Sequence, residues 1–122
     1  MKKRPNYLVE KVYFHTFALR NKPFIMLRLK ESLKKLAAFK EANASRFKIS
    51  RMGLFGSVAR QENTEDSDID IVVEMMEPDL SLLYELTASL RALFGCEVDV
   101  VRMRDSLRPS FKANIQKDAI YV

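Results

Sequence analysis

Between residues 26 and 44 the apolar positions Met26, Leu29, Leu33 and Leu36 recur at spacings of three, four and three, while Lys30, Lys34, Lys35 and Lys40 fall largely off that stripe. A period near 3.6 with the charges set aside predicts an amphipathic helix from Met26 to about Ala44. From Phe47 to Phe55 the composition turns to β-formers and the run stops at Gly56; Ile69–Glu74 (IDIVVE) and Glu97–Arg102 (EVDVVR) read the same way, giving three strands. Between the last two, Leu83, Leu86, Leu90 and Leu93 again repeat at three, four and three, ahead of Gly95. Asp79 or Ser81 can cap this second helix after Pro78, and Gly95 can end it. Asp105 or Ser106 can cap a shorter helix through about Lys117, with Pro109 in its first turns and Leu107, Phe111 and Ile115 on one side. Ala119–Val122 would then add a closing edge strand. The order predicts an α/β (α+β) fold: a small mixed sheet of three to four strands with helices packed on it.

Residues 1–25 have no clear period, contain Pro5 and Pro23, and carry six basic residues against one acid. They read as an N-terminal extension, flexible or contributed by an upstream start codon, with the domain proper running from Met26 to Val122. A chain of 122 residues fits one core. Its net charge of +5 conceals an asymmetry: residues 1–51 hold 14 Lys and Arg against 3 acids, and residues 52–122 hold 7 against 13. The basic half can steer phosphate or an acidic partner by its long-range field, although a solvated helix face explains much of it. The single cysteine, Cys96, cannot close an intramolecular disulfide, and no Cys/His spacing matches a zinc site, so a reducing cytoplasm is the expected compartment. The longest candidate membrane stretch, Tyr7 to Leu19, is broken by Glu10, Lys11 and His15, which argues against a membrane partner. His15 has no partner carboxylate pattern and reads as structural or solvent-facing. Cys96 reads as a small buried side chain, with no local cation to activate it.

The chemistry concentrates after the first strand. Gly56-Ser57 follows a predicted strand and precedes Val58-Ala59-Arg60, which can start a helix. Glycine permits a sharp turn and a close phosphate, while helix-start amides and the Ser57 hydroxyl supply donors; the same dipeptide also makes a routine turn. Ser67-Asp68-Ile69-Asp70 follows a polar loop. On an extended strand Asp68 and Asp70 project to one face and Ile69 and Ile71 to the other. Two carboxylates held side by side repel, and a divalent cation is the usual remedy, though a solvent-facing edge also tolerates them. Asp99 stands among Val98, Val100 and Val101, where acids are depleted. If its strand lies beside that of Asp68 and Asp70, three hard oxygen donors converge near the Gly-Ser turn. Such a set suits two magnesium ions and a triphosphate.

Taken together, Leu54-Phe55-Gly56-Ser57-Val58-Ala59-Arg60 and Ser67-Asp68-Ile69-Asp70-Ile71-Val72-Val73, with ten residues between Ser57 and Asp68, resemble the signature of the DNA polymerase β-like nucleotidyltransferases. The likeness is to their minimal nucleotidyltransferase branch and covers about Met26 to Val122. It implies nucleotidyl transfer from ATP or another nucleoside triphosphate. By that resemblance Gly56 and Ser57 hold the β/γ-phosphates, Asp68 and Asp70 ligate two Mg²⁺ ions, and Asp99 completes the site of the metal that activates the acceptor hydroxyl. Arg60 matches the arginine of Gly-Ser-x-Ala-Arg and is placed to touch phosphate; a salt bridge to Glu62, Glu65 or Asp66 is the alternative. Gln61 departs from the pattern, since many members carry glycine there. Members of the branch are often encoded beside a HEPN-domain protein, and some are antitoxins that attach AMP to a tyrosine of that toxin. The resemblance therefore implies a toxin–antitoxin role, with AMP transferred to a hydroxyl of a HEPN-domain protein encoded nearby; separately, an exposed apolar helix face on so small a domain suits a homo-oligomer or heteromer. Two other readings stand beside it. One is a non-catalytic module that neutralises its partner by contact, and the other is nucleic-acid binding through the basic half, which lacks supporting Gly-rich or aromatic motifs.

Overall fold

A computed structural model describes residues 22–64 and 67–122, with side chains from Leu27 onward. Most of the segment read as an extension, His15 with it, and the loop acids Glu65 and Asp66 lie outside the described residues. Helix α1 runs Lys22–Phe47, longer at both ends than the leucine stripe predicted. Its stripe is buried at Leu36 and closes on Phe47, which has no exposed surface and stacks on Phe39 at 6.0 Å. Phe47 was expected to open the first strand. Instead the chain turns at Lys48, whose φ of 57° lies in the left-handed region, and strand β1 begins at Ile49.

Strand β1 (Ile49–Phe55) leads through the one-turn helix α2 (Gly56–Ala59) and a loop into β2 (Ile69–Met75). Helix α3 (Leu80–Phe94) then crosses to β3 (Val98–Arg102), and α4 (Pro109–Asp118) delivers the short β4 (Ile120–Tyr121). The spatial order is β3-β2-β1-β4. β1 pairs antiparallel with β2 and β4, while β2 and β3 are parallel, as a helical crossover between them requires. The expected small mixed sheet is therefore the one found, with four strands.

The caps explain where the crossover helix starts and stops. Of the two candidates, Asp79 is the N-cap, accepting from the Leu82 amide at 3.0 Å, and Gly95 ends the helix at φ 68°. Leu86 and Leu90 from the predicted stripe are wholly buried, whereas Leu93 at its end is partly exposed. The last helix differs from expectation at its start. Neither Asp105 nor Ser106 caps it; Pro109 occupies the first turn after Arg108, which makes no side-chain cap. Leu107 precedes the helix and packs from the turn.

Alternation along the strands divides the core. Ile49, Met52, Leu54, Ile69, Ile71 and Val73 face α1 and α3 in the larger cluster, while Phe55 and Val72 face α4 through Ile115. The acids of β2 and β3 alternate with the first set, so they lie on the α4 face. Among the described residues no helix is long and apolar enough to cross a membrane.

Candidate active site

Strand register assembles the site. Asp70 is the Cα partner of Phe55 in the antiparallel pair and of Asp99 in the parallel one. Phe55, Asp70 and Asp99 thus form a single rung across three strands, with Asp68 two residues before Asp70 on the same face. Sequence separates the two rung acids by 29 residues, and the α3 crossover brings them side by side. Asp68 and Asp99 are exposed and Asp70 is half-buried.

Their proximity is felt as charge. Burial is the main cause that lifts the Asp70 carboxyl from its ordinary 3.8 to about 6; the neighbouring Asp99 and then Asp68 add repulsion, Arg60 opposes, and a hydrogen bond with Asp99 adds to the rise. Among the described residues, no three His, Cys, Asp or Glu side chains are already gathered as a metal cage. Asp70 nevertheless stands between the other two acids, hydrogen-bonded to Asp99 and within electrostatic reach of Asp68. The donor set fits a divalent, oxygen-seeking cation.

The Gly-Ser turn is built against this cluster. Gly56 has φ 77°, and a Cβ placed on it would run into the Asp70 carboxylate, 2.9 Å from Cγ. No other residue type satisfies both the backbone and the space. From here α2 starts without a side-chain cap, since Phe55 supplies none, leaving the amides of Gly56, Ser57 and Val58 at an uncapped helix start beside half-buried Ser57. Val58 and Ala59 anchor the turn in the core. The departure at Gln61 has a visible cost: it sits at φ 60°, the conformation glycine takes most readily.

Arg60 takes up the ion-pair alternative, with an addition the sequence did not announce. Its Nε donates to Glu62 at 3.0 Å and its Nη1 to Asp118, at the end of α4, at 2.7 Å. It still acts on Asp70 electrostatically, favouring the ionised form. The pairing ties the end of the Gly-Ser segment to the helix that covers the same face of the sheet.

One contributor escaped sequence reading altogether. Arg28 on α1 donates Nη1 to the Thr64 carbonyl at 3.0 Å and Nη2 to the Ser67 carbonyl at 2.9 Å, gripping the loop that delivers Asp68. The Ser67 hydroxyl in turn accepts from the Thr64 amide at 2.8 Å. Partners 36 and 39 residues away leave no local signature. A cavity of about 190 Å³ is lined by Arg28, Glu31, Lys35, Phe94, Cys96 and Ile69, the last of which faces away from the sheet surface that carries Asp70.

Comparison with known proteins is consistent in one direction. Residues 36–122 match the model of the nucleotidyltransferase domain family. The chain is 40% identical over 98 residues to the protein adenylyltransferase MntA of Thermococcus cleftensis, a match that takes in 80% of this chain and 98% of that protein. Among solved structures, one provisionally described as a minimal nucleotidyltransferase superposes with a TM-score of 0.59 at 37% identity, covering 72% of this chain and 93% of the other. A toxin–antitoxin crystallised with AMP-PNP gives a TM-score of 0.60 at 25% identity, covering 72% and 69%.

Proposed function

The chain belongs to the nucleotidyltransferase domain family, within the minimal branch of the polymerase β-like enzymes, and we propose that it transfers AMP from ATP to a hydroxyl of a HEPN-domain toxin for which it is the antitoxin. The observation that carries this reading is the rung in which Asp70 and Asp99 are cross-strand partners while Gly56 leans on the Asp70 carboxylate. It supports the reading by setting paired carboxylates directly against a tight glycine turn. The likeness to a protein adenylyltransferase supports the reaction class, and the likeness to a toxin–antitoxin bound to AMP-PNP supports an adenine nucleotide and a toxin partner.

In this reading Gly56 and Ser57 receive the β- and γ-phosphates through backbone amides and the Ser57 hydroxyl. Asp68, Asp70 and Asp99 would hold divalent cations, two Mg²⁺ in this reading, whose charge would offset that of the phosphates and lower the pKa of the acceptor hydroxyl. Asp99 is assigned to the acceptor side, where it lowers the pKa of the hydroxyl or accepts its proton. The acceptor oxygen forms a bond to the α-phosphorus, the bond to the β-phosphate oxygen breaks, and pyrophosphate leaves. Arg60, held by Glu62 and Asp118, bears on the site through its field, as it does on Asp70, rather than as a free donor to phosphate. Arg28 keeps Asp68 in place through its loop.

Incubation with labelled ATP, Mg²⁺ and the HEPN protein encoded nearby is the test. Label should appear on the partner with the intact chain, and Asp68→Asn and Asp99→Asn should each reduce it by at least roughly a thousandfold. An unlabelled partner, or mutants that label as well as the parent, would remove the proposal. If Asp70→Ala still neutralised the toxin, protection by contact alone would replace it.

A further inference from the structure

Phe111 is the anomaly on the face that carries the acids. It shares a stripe of α4 with Ile115, four residues on, which is wholly buried, yet Phe111 itself is 38% exposed. Among the described residues its ring meets that of Phe55, edge-on, at 6.3 Å between centroids and 75° between planes. Such a pair leaves at least one face of Phe111 outside the contact. Phe carries no polar atom that would gain from exposure, so an open face is a cost unless something covers it.

The place of the pair gives the cover a chemistry. Phe55 is the rung partner of Asp70 on the side opposite Asp99, and it is the residue immediately before the Gly56-Ser57 turn. Two aromatic rings therefore stand on the flank of the acids from which the phosphates would come, away from the acid assigned to the acceptor. Building on the nucleotidyl-transfer reading above, we infer that Phe111 is the platform on which the base of the donor nucleoside triphosphate stacks, with Phe55 bracing it from below. A purine, with the larger π-surface, is the better occupant. Stacking on a plain aromatic ring recognises a face rather than a hydrogen-bond pattern, so purine over pyrimidine is the discrimination it provides.

The sequence contains no tryptophan, so Phe111→Trp creates a single fluorescent reporter at the platform. In the full chain with Mg²⁺ and no acceptor, ATP should quench that emission, and UTP should need a roughly tenfold higher concentration for the same effect. Phe111→Leu keeps an apolar side chain against Phe55 but removes the ring. It should raise the KM and Kd for ATP roughly tenfold with little change in kcat, and Phe111→Tyr should restore both. Unchanged ATP affinity in Phe111→Leu, absence of quenching, or a Tyr variant as weak as Leu would each overturn the inference. A parent chain that binds ATP but labels no protein would defeat the acceptor assignment and leave the stacking result to stand by itself. A parent that binds no nucleotide would defeat both.

Discussion

Asp70 lies between two acids in a half-buried position, and its carboxyl is held at about 6 against an ordinary 3.8, chiefly by burial. In the cation-free protein the folded chain therefore keeps a proton that the unfolded chain releases. The stability this proton confers is complete below pH 3.8 and is lost as pH rises through about 6. Asp70→Asn should consequently raise the melting temperature of cation-free protein at pH 7.5 and leave it nearly unchanged at pH 3.5, while abolishing transfer; a melt of equal height at both values for mutant and parent would contradict this. Gly56→Ala should cost about 2 kcal/mol or more in urea unfolding, since left-handed backbone strain adds to the collision with Asp70. Gln61→Gly should go the other way by up to about 1 kcal/mol, because it relieves the strain at φ 60° at a smaller entropic cost. At this scale the sequence was informative where chemistry is local. The Gly-Ser turn and the Asp-x-Asp pair announce themselves, whereas the partnership of Arg60 with Asp118 depends on where a distant helix ends.

Secondary-structure elements were legible through their periods and less so at their boundaries. The leucine stripes found α1 and α3, and Asp79 and Gly95 marked the latter's ends. Phe47 was misplaced because β-formers next to a strand look the same whether they close a helix or open the strand; only the positive φ of Lys48 separates the two. The start of α4 was misplaced because Pro109 can begin a helix unaided, without the side-chain cap that Asp105 or Ser106 promised. The grip of Arg28 on the 64–67 loop belongs to this scale as well. Arg28→Ala should cut transfer roughly 10- to 100-fold by loosening Asp68, with a small change in melting temperature. Hydrogen exchange of the Thr64 and Ser67 amides would accelerate; unchanged exchange with lost activity would point instead to a direct role for Arg28.

For the molecule as a whole, the parallel pairing of β2 and β3 determines whether there is a site at all. Sequence named the third acid, but that it shares a rung with Asp70 follows from register, which no local pattern encodes. Cation binding should therefore report on the whole fold. At pH 7.5, millimolar Mg²⁺ or Mn²⁺ should raise the melting temperature by several degrees, and at pH 4, where Asp70 holds its proton, by little. An equal rise at both pH values would place the cation elsewhere.

The absence of a Cβ at Gly56 leaves its backbone and the Asp70 carboxylate with a common wall and no slack between them. Whatever draws that carboxylate inward shifts the surface on which the turn rests, and whatever settles on the turn presses back. On the reading proposed above, nucleotide and cation loading would be reciprocal by geometry, each adjusting the other's seat across one close contact, with no need of a moving lid to keep them in step.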